Sequence, residues 1–422
     1  MVYVMPKHIW RLKCISLFLM LFICSSAFIS CGRTYSPTAE DTKADIHTTD
    51  VGRMYGPWEY GDYVYFSMNR LTRFNRITSE IEFACFNEEC DKTLSNGCPL
   101  DSPMANIIGV YHERLYFTSY VIKTTEQAYE ICYQDLSTGA VTVLQHFNDM
   151  EFLDNTYAVF DGDYIYYQRR LLKENGNPTI PSDYEPCICR TPAEGGKEEI
   201  ISGHKVDVSG TRETLLFVYN GNIITALDNC WYAHNVETGN SELLMDFNPF
   251  DIYSGARVQW MNGKAYCICG DENMDIQCEG DEDAFSYHSS HLYCIDLTTR
   301  ELTRVVDEPI EWFCLTDEGI YYTAIKLTKL YDDPVKPENN YYLIYDPMLR
   351  FVDFDGNKRE VISLEDYEIH MFTVINNVLY GKVYEIDKAQ HRTDPLMRIG
   401  VVDLKTGHVT VYEDPYRAYQ FF

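Results

Sequence analysis

A short strand-like run, usually set just after Gly, Asn or Asp turn residues and usually ending in Tyr, recurs along this 422-residue chain. It reads Gly61-Asp-Tyr-Val-Tyr65-Phe, Glu113-Arg-Leu-Tyr116-Phe, Gly162-Asp-Tyr-Ile-Tyr166-Tyr and Gly221-Asn-Ile-Ile224-Thr. It continues as Gly263-Lys-Ala-Tyr266-Cys, Gly319-Ile-Tyr321-Tyr and Asn377-Val-Leu-Tyr380. The anchors at 65, 116, 166, 224, 266, 321 and 380 step by 51, 50, 58, 42, 55 and 59 residues, which makes seven units. Such spacing constrains the fold more than any single motif does. A unit this small cannot bury its own hydrophobic face and must stack on copies of itself.

Each anchor is followed by a second hairpin with its own turn chemistry. The best copies are Tyr133-Gln-Asp135-Leu-Ser-Thr138-Gly139, Cys294-Ile-Asp296-Leu-Thr-Thr299-Arg300 and Val402-Asp403-Leu-Lys-Thr406-Gly407. Asn235-Val-Glu-Thr238-Gly239 and Asp353-Phe-Asp-Gly356-Asn357 are variants. The Asp or Asn accepts hydrogen bonds from turn amides, and Gly supplies a positive φ. Units one and three, with Ile77-Thr-Ser-Glu80 and Pro192-Ala-Glu-Gly195-Gly196, lack that Asp. An apolar strand precedes each anchor, as in Ile310-Glu-Trp-Phe-Cys-Leu315 and Met371-Phe-Thr-Val-Ile375.

That makes four strands per unit, and no useful stretch has a helical period. The expected fold is all-β, a seven-bladed β-propeller of four-stranded blades over residues 52–422, which leaves no long exposed sheet edge. Residues 416–422 are expected to help complete the first blade alongside the strands around residues 53–58.

The N-terminus carries Lys7, Arg11 and Lys13 and no acid, and then an apolar run from Ile15 to Ile29. This is the pattern of a secretory signal peptide. At about 15 residues the run is short for a hydrocarbon core of roughly 30 Å. It ends in Phe28-Ile29-Ser30-Cys31-Gly32, which resembles the bacterial lipobox, with Phe28 where that motif favours Leu. The resemblance implies a signal peptide of residues 1–31 and a lipid on Cys31. The alternative is an ordinary signal peptide cut near Ala27 or Ser30. Residues 32–51 offer almost nothing to bury and are expected to form a flexible polar linker.

Removing residues 1–31 takes three bases and no acids from a chain of 35 Lys and Arg against 64 Asp and Glu, leaving a formal charge of −32. Such a chain repels phosphate backbones, so nucleic acid is excluded as a partner. Anionic membrane surfaces are disfavoured as well, and attachment is expected through covalent lipid alone.

The repeats resemble TolB-like and WD-like propellers, in particular the propeller lipoproteins of Firmicutes of clostridial type, a family that implies no specific activity. Beside the leader, that resemblance is carried by Ala84-Cys85-Phe-Asn-Glu-Glu-Cys90-Asp91 and the following Cys98-Pro99. Relatives commonly have His after the second Cys, where Asp91 stands here. Cys85, Cys90 and Cys98 are close enough to converge on a soft metal. The competing reading is a local disulfide or an ordered loop, and no cofactor or metal is expected. Other cysteines, such as Cys132, Cys294 and Cys314, sit in apolar strand patterns and are expected to pack as reduced core thiols.

His288-Ser-Ser-His291 reads as a polar hairpin, and the acidic stretch from Asp271 to Asp283 reads as a solvated insertion. No Gly-x-Ser-x-Gly elbow, His-Glu-x-x-His helix, phosphate-binding glycine loop or Asp box is present. The 34 Tyr, 21 Phe and 5 Trp would suit sugar stacking at a propeller mouth, although most Tyr copies fall on the structural anchor. The expectation is a cell-surface, membrane-anchored binding or scaffolding monomer for a glycan, peptide or protein, more a binder than an enzyme. The alternative is an extracellular carbohydrate-active hydrolase or lyase with carboxylates at the propeller mouth.

Overall fold

The computed structural model describes residues 52–413, apart from 54–55, 69, 88–97, 103–104, 124–125, 149–150, 152–157, 181–182, 204–213, 228–229, 247–250, 253–257, 277–284, 330–340, 365, 388–391 and 394–396. Cys31, Cys90 and the segments 1–31, 32–51 and 416–422 lie outside the described residues. The chain forms a seven-bladed β-propeller, with blades spanning 58–83, 106–148, 158–203, 214–246, 258–304, 310–363 and 367–412. Strands are numbered first to fourth from the central channel outward. Among the described residues no helix is long and apolar enough to cross a membrane.

All seven anchors lie on the second strand of their blades, where strand period and turn chemistry agree. Each blade buries both faces against its neighbours. One cluster joins Leu115 and Phe117 to Trp58 and Leu71, and another joins Phe217 and Trp231 to Val258 and Ala265. The ring closes at the seam between blades seven and one, where Phe74 meets Tyr412 at 4.9 Å and Tyr380 at 6.0 Å between ring centroids. Val64, Phe66 and Ile399 complete that cluster. Blade one takes four strands from 58–83, and among the described residues no strand crosses the seam.

The outer turns show why Asp recurs. The Asp296 carboxylate accepts from the amides of Thr298 and Thr299 at 2.9 Å each, and Asp403 accepts from Lys405 and Thr406 at 2.8 and 3.1 Å. Asn235 makes the same pair of bonds in blade four. In blade one, which lacks the Asp, Asn75 takes over by accepting from Ile77 and Thr78.

These bonds hold Asp296, Asp353 and Asp403 below the usual carboxylate range: turn amides act on the first and last, and the Asn357 side chain and amide on Asp353. A depressed carboxyl stabilises the fold above its unfolded pKa of about 3.9, and that contribution is lost as the pH falls through the lower folded value. The triple variant D296N/D353N/D403N keeps the acceptors and removes the titration. Its urea midpoint is expected to drop less between pH 5 and pH 2 than the parent's; parallel curves would refute this.

Candidate functional site

An even-stranded antiparallel blade sorts its connections by face. First-to-second and third-to-fourth connections fall on one side of the ring, and second-to-third and blade-to-blade connections fall on the other. The first side is uniform, with two- or three-residue turns such as 61–62 and 316–318 and four- to six-residue turns such as 76–79 and 193–198. The second side varies. Its hairpins include 173–183 and 330–340, and the link from blade one to blade two runs over 84–105. Second and third strands extend toward this face, as in Lys264–Ile276 with Phe285–Asp296 and Gly319–Lys329 with Tyr341–Asp353. Variable loops on a rigid scaffold are where recognition concentrates.

The channel also holds a strand that sequence reading assigned elsewhere. Gly52–Arg53 pairs antiparallel with the first strand of blade five, Val258–Met261, setting Gly52 opposite Trp260 and Arg53 opposite Gln259. It is the innermost strand of that sheet, and the chain then crosses to blade one at Trp58.

In blade seven, the part of the first strand nearest the variable face carries Glu368 and His370 on Tyr367–Ile375. They stand directly opposite Tyr384 and Lys382 of Val378–Asp387, so the four share one face of the sheet. The Trp312 indole N–H from blade six donates to His370 Nδ1 at 2.7 Å. Indole nitrogen only donates, so Nδ1 is the acceptor and neutral His370 carries its proton on Nε2, donating to Glu368 Oε1 at 2.5 Å. Glu368 is buried, and His370 is 19% exposed. Its ring also meets Tyr384 edge-on at 5.2 Å. A strand irregularity follows at once, with Met371 at φ 44°, a device found where a strand re-aims side chains. The arrangement can hold one imidazole tautomer and pass a proton between His370 and Glu368.

Burial lowers the half-buried Lys382 amine from its ordinary value to about 8. The unfolded chain therefore binds more protons between about pH 8 and 10.4, so stability from this group rises with pH across that window. Lys382→Met is expected to stabilise the protein at pH 7 and to flatten the rise toward pH 10. Urea midpoints at both pH values check this, and an unchanged slope would contradict it.

Of the sequence candidates, Cys85 and Cys98 are buried in the cluster between blades one and two, beside Trp58 and Leu71. Among the described residues no three His, Cys, Asp or Glu side chains gather to hold a metal. Cys132 and Cys314 are buried and Cys294 is half-buried. Two Cys-Ile-Cys strands went unremarked in the sequence. Cys187 and Cys189 place their sulfurs 3.5 Å apart, and Cys267 and Cys269 place theirs 3.4 Å apart. The thiol–thiol hydrogen bond and burial push Cys189 and Cys267 upward, which disfavours the reactive thiolate.

The stretch read as an acidic insertion is corrected in part. Residues 272–276 continue the ladder opposite 285–289, and only 277–284 lie outside the described residues. His291 is buried opposite Cys269 in the same hairpin. His234, held between Thr225 Oγ1 at 2.9 Å and Ser241 Oγ at 2.5 Å, sits by the short turns and away from the variable face.

No family model and no curated protein matches this chain. Among solved structures, a prolyl endopeptidase superposes with a TM-score of 0.52 at 9% identity, over 86% of this chain and 50% of that one. The chain thus spans half the endopeptidase's length. An oligogalacturonate lyase in complex with manganese gives 0.46 at 9% identity, over 79% of this chain and 86% of that one. TolB from Acinetobacter baumannii gives 0.32 at 11% identity, over 71% and 68%. At these identities the likeness is one of fold.

Proposed function

We propose that this protein is a lipid-anchored, extracytoplasmic binding or scaffolding protein whose variable face recognises a glycan, peptide or protein partner. The observation that carries the reading is the asymmetry of the ring, with turns of uniform length on one face and, on the other, second-to-third connections that range from two residues at 124–125 to eleven at 173–183. The Gly52–Arg53 strand along the inner edge of blade five supports it, because it takes up channel space that a buried substrate would need.

The test uses the soluble chain lacking residues 1–31 on glycan arrays and peptide panels, beside a variant whose 173–183 hairpin is replaced by a two-residue turn. Saturable binding that the hairpin variant weakens supports the reading. Turnover of a substrate without stable binding overturns it. For the anchor, Cys31→Ala is expected to abolish labelling by a fatty-acid probe and to release the protein from membranes; unchanged retention refutes it.

A carbohydrate-active enzyme is the second reading, favoured by the Trp312–His370–Glu368 chain near the variable face. Polysaccharide cleavage that E368Q abolishes while folding is retained would select it.

A further inference from the structure

We infer that the tether joins the propeller on the short-turn face, so that the variable face is the side turned away from the membrane. The inference deepens the binding reading and rests on the anchor at Cys31. It follows from the direction of one strand.

Every first strand starts at the variable face and ends at a short turn, because each blade is an antiparallel meander with four main strands. In blade five, Val258–Met261 runs into the turn at 262–263. Gly52 stands opposite Trp260, near that turn, and Arg53 stands opposite Gln259, one step farther from it. The chain therefore travels up the channel from the short-turn face toward the variable face. Blade one's first strand, Trp58–Tyr60, then runs back down to its turn at 61–62. The five steps from Arg53 to Trp58 reach at most about 18 Å, which suits a crossing between two inner strands of one ring.

Two alternatives fail on the same register. A tether entering from the variable face would pair parallel with Val258–Met261, and a chain running straight into blade one would leave the inner edge of blade five unpaired. A flexible linker of about 20 residues spans roughly 25 Å on average. That gap admits small solutes to the short-turn face and hinders an intact antibody.

The experiment places one epitope between Gly195 and Gly196, on the short-turn face, or between 124 and 125, in the variable-face hairpin of blade two. Antibody binding to the full-length lipidated chain is compared in proteoliposomes and after detergent release. The expected result is unchanged binding at 124–125 and a several-fold loss at 195–196 on anchoring, with both epitopes bound equally in detergent. Equal binding at both sites while anchored overturns the inference.

The double substitution Gly52→Pro with Arg53→Pro removes both amide donors of the channel strand. It is expected to abolish the asymmetry, and persistence of the asymmetry also overturns the inference. A chain beginning at residue 32, held on streptavidin beads through an N-terminal biotin, repeats the comparison without lipid. Asymmetry on beads combined with no membrane retention of the full chain sinks the anchor alone. Loss of asymmetry on beads sinks the threading.

Discussion

Phe74→Ala is expected to destabilise the propeller by about 3–5 kcal/mol, the range for deleting a buried aromatic ring. Phe74 is 2% exposed on the third strand of blade one, Leu71–Asn75. It packs on Tyr412 and Tyr380 across the one seam that joins the chain's first blade to its last. Among the described residues no backbone ladder bridges that seam, and a side-chain cluster packs the two blades together there. A ring opened at a seam exposes two blade faces, and folded domains hold only about 5–15 kcal/mol in reserve. Urea denaturation of the soluble chain measures the loss. Phe74→Leu is expected to recover most of it by refilling the cavity. A loss below 1 kcal/mol for the Ala variant would show that the seam is held by something else.

A second large effect is expected at Arg169, where Arg169→Leu should destabilise by about 3–5 kcal/mol by stranding two largely buried carboxylates. The guanidinium bridges Glu198 at 2.9 Å and Glu151 at 2.7 Å, and it lies over the Phe147 ring at 5.1 Å. Tyr167 adds a hydrogen bond to Glu198 at 2.6 Å. Glu151 belongs to the link between blades two and three, so this arginine ties a variable-face connection to the body of blade three. Burial alone would lower the Arg169 pKa, yet Glu198 and Glu151 together hold it raised, which marks the pairing as net attractive. Removing all three charges as R169L/E151Q/E198Q is expected to be milder than the single change, because no uncompensated ion remains buried. If the single variant unfolds at the parent's urea midpoint, the cluster contributes nothing to stability.

The fold was legible because each blade repeats a local signal. Turn residues such as Gly61 and Gly162 adopt positive φ in the structure, and the Tyr-rich strands that follow them are buried as second strands. Where the signal failed, a physical reason is visible. Gly52–Arg53 is two residues long and carries no alternation, so nothing local announces that it pairs with blade five across the channel. Trp312 and His370 are 58 residues apart and meet only because blades six and seven are neighbours. The Glu368-x-His370 spacing was the one available clue, since alternate strand residues share a face. The acidic character of 271–283 suggested solvent rather than pairing, yet a ladder formed by backbone groups does not depend on what the side chains carry. Asn75 is hard to read from the sequence of blade one because it sits two places upstream of the run Ile77-Thr-Ser-Glu80, which itself holds no Asp.

The four main strands of each blade come from one stretch of chain, blade five alone among the described residues adding a distant strand, Gly52–Arg53, and neighbouring blades touch through side chains and connecting loops. Outside blade five, a genetic event that copies or deletes one such stretch would leave whole sheets on both sides of the join, with no orphaned half; removing blade five would strand Gly52–Arg53. The modules can therefore diverge in their long hairpins one at a time. The short-turn side, where Asp carboxylate or Asn amide oxygens hold the outer reversals in every blade but the third, varies far less from module to module.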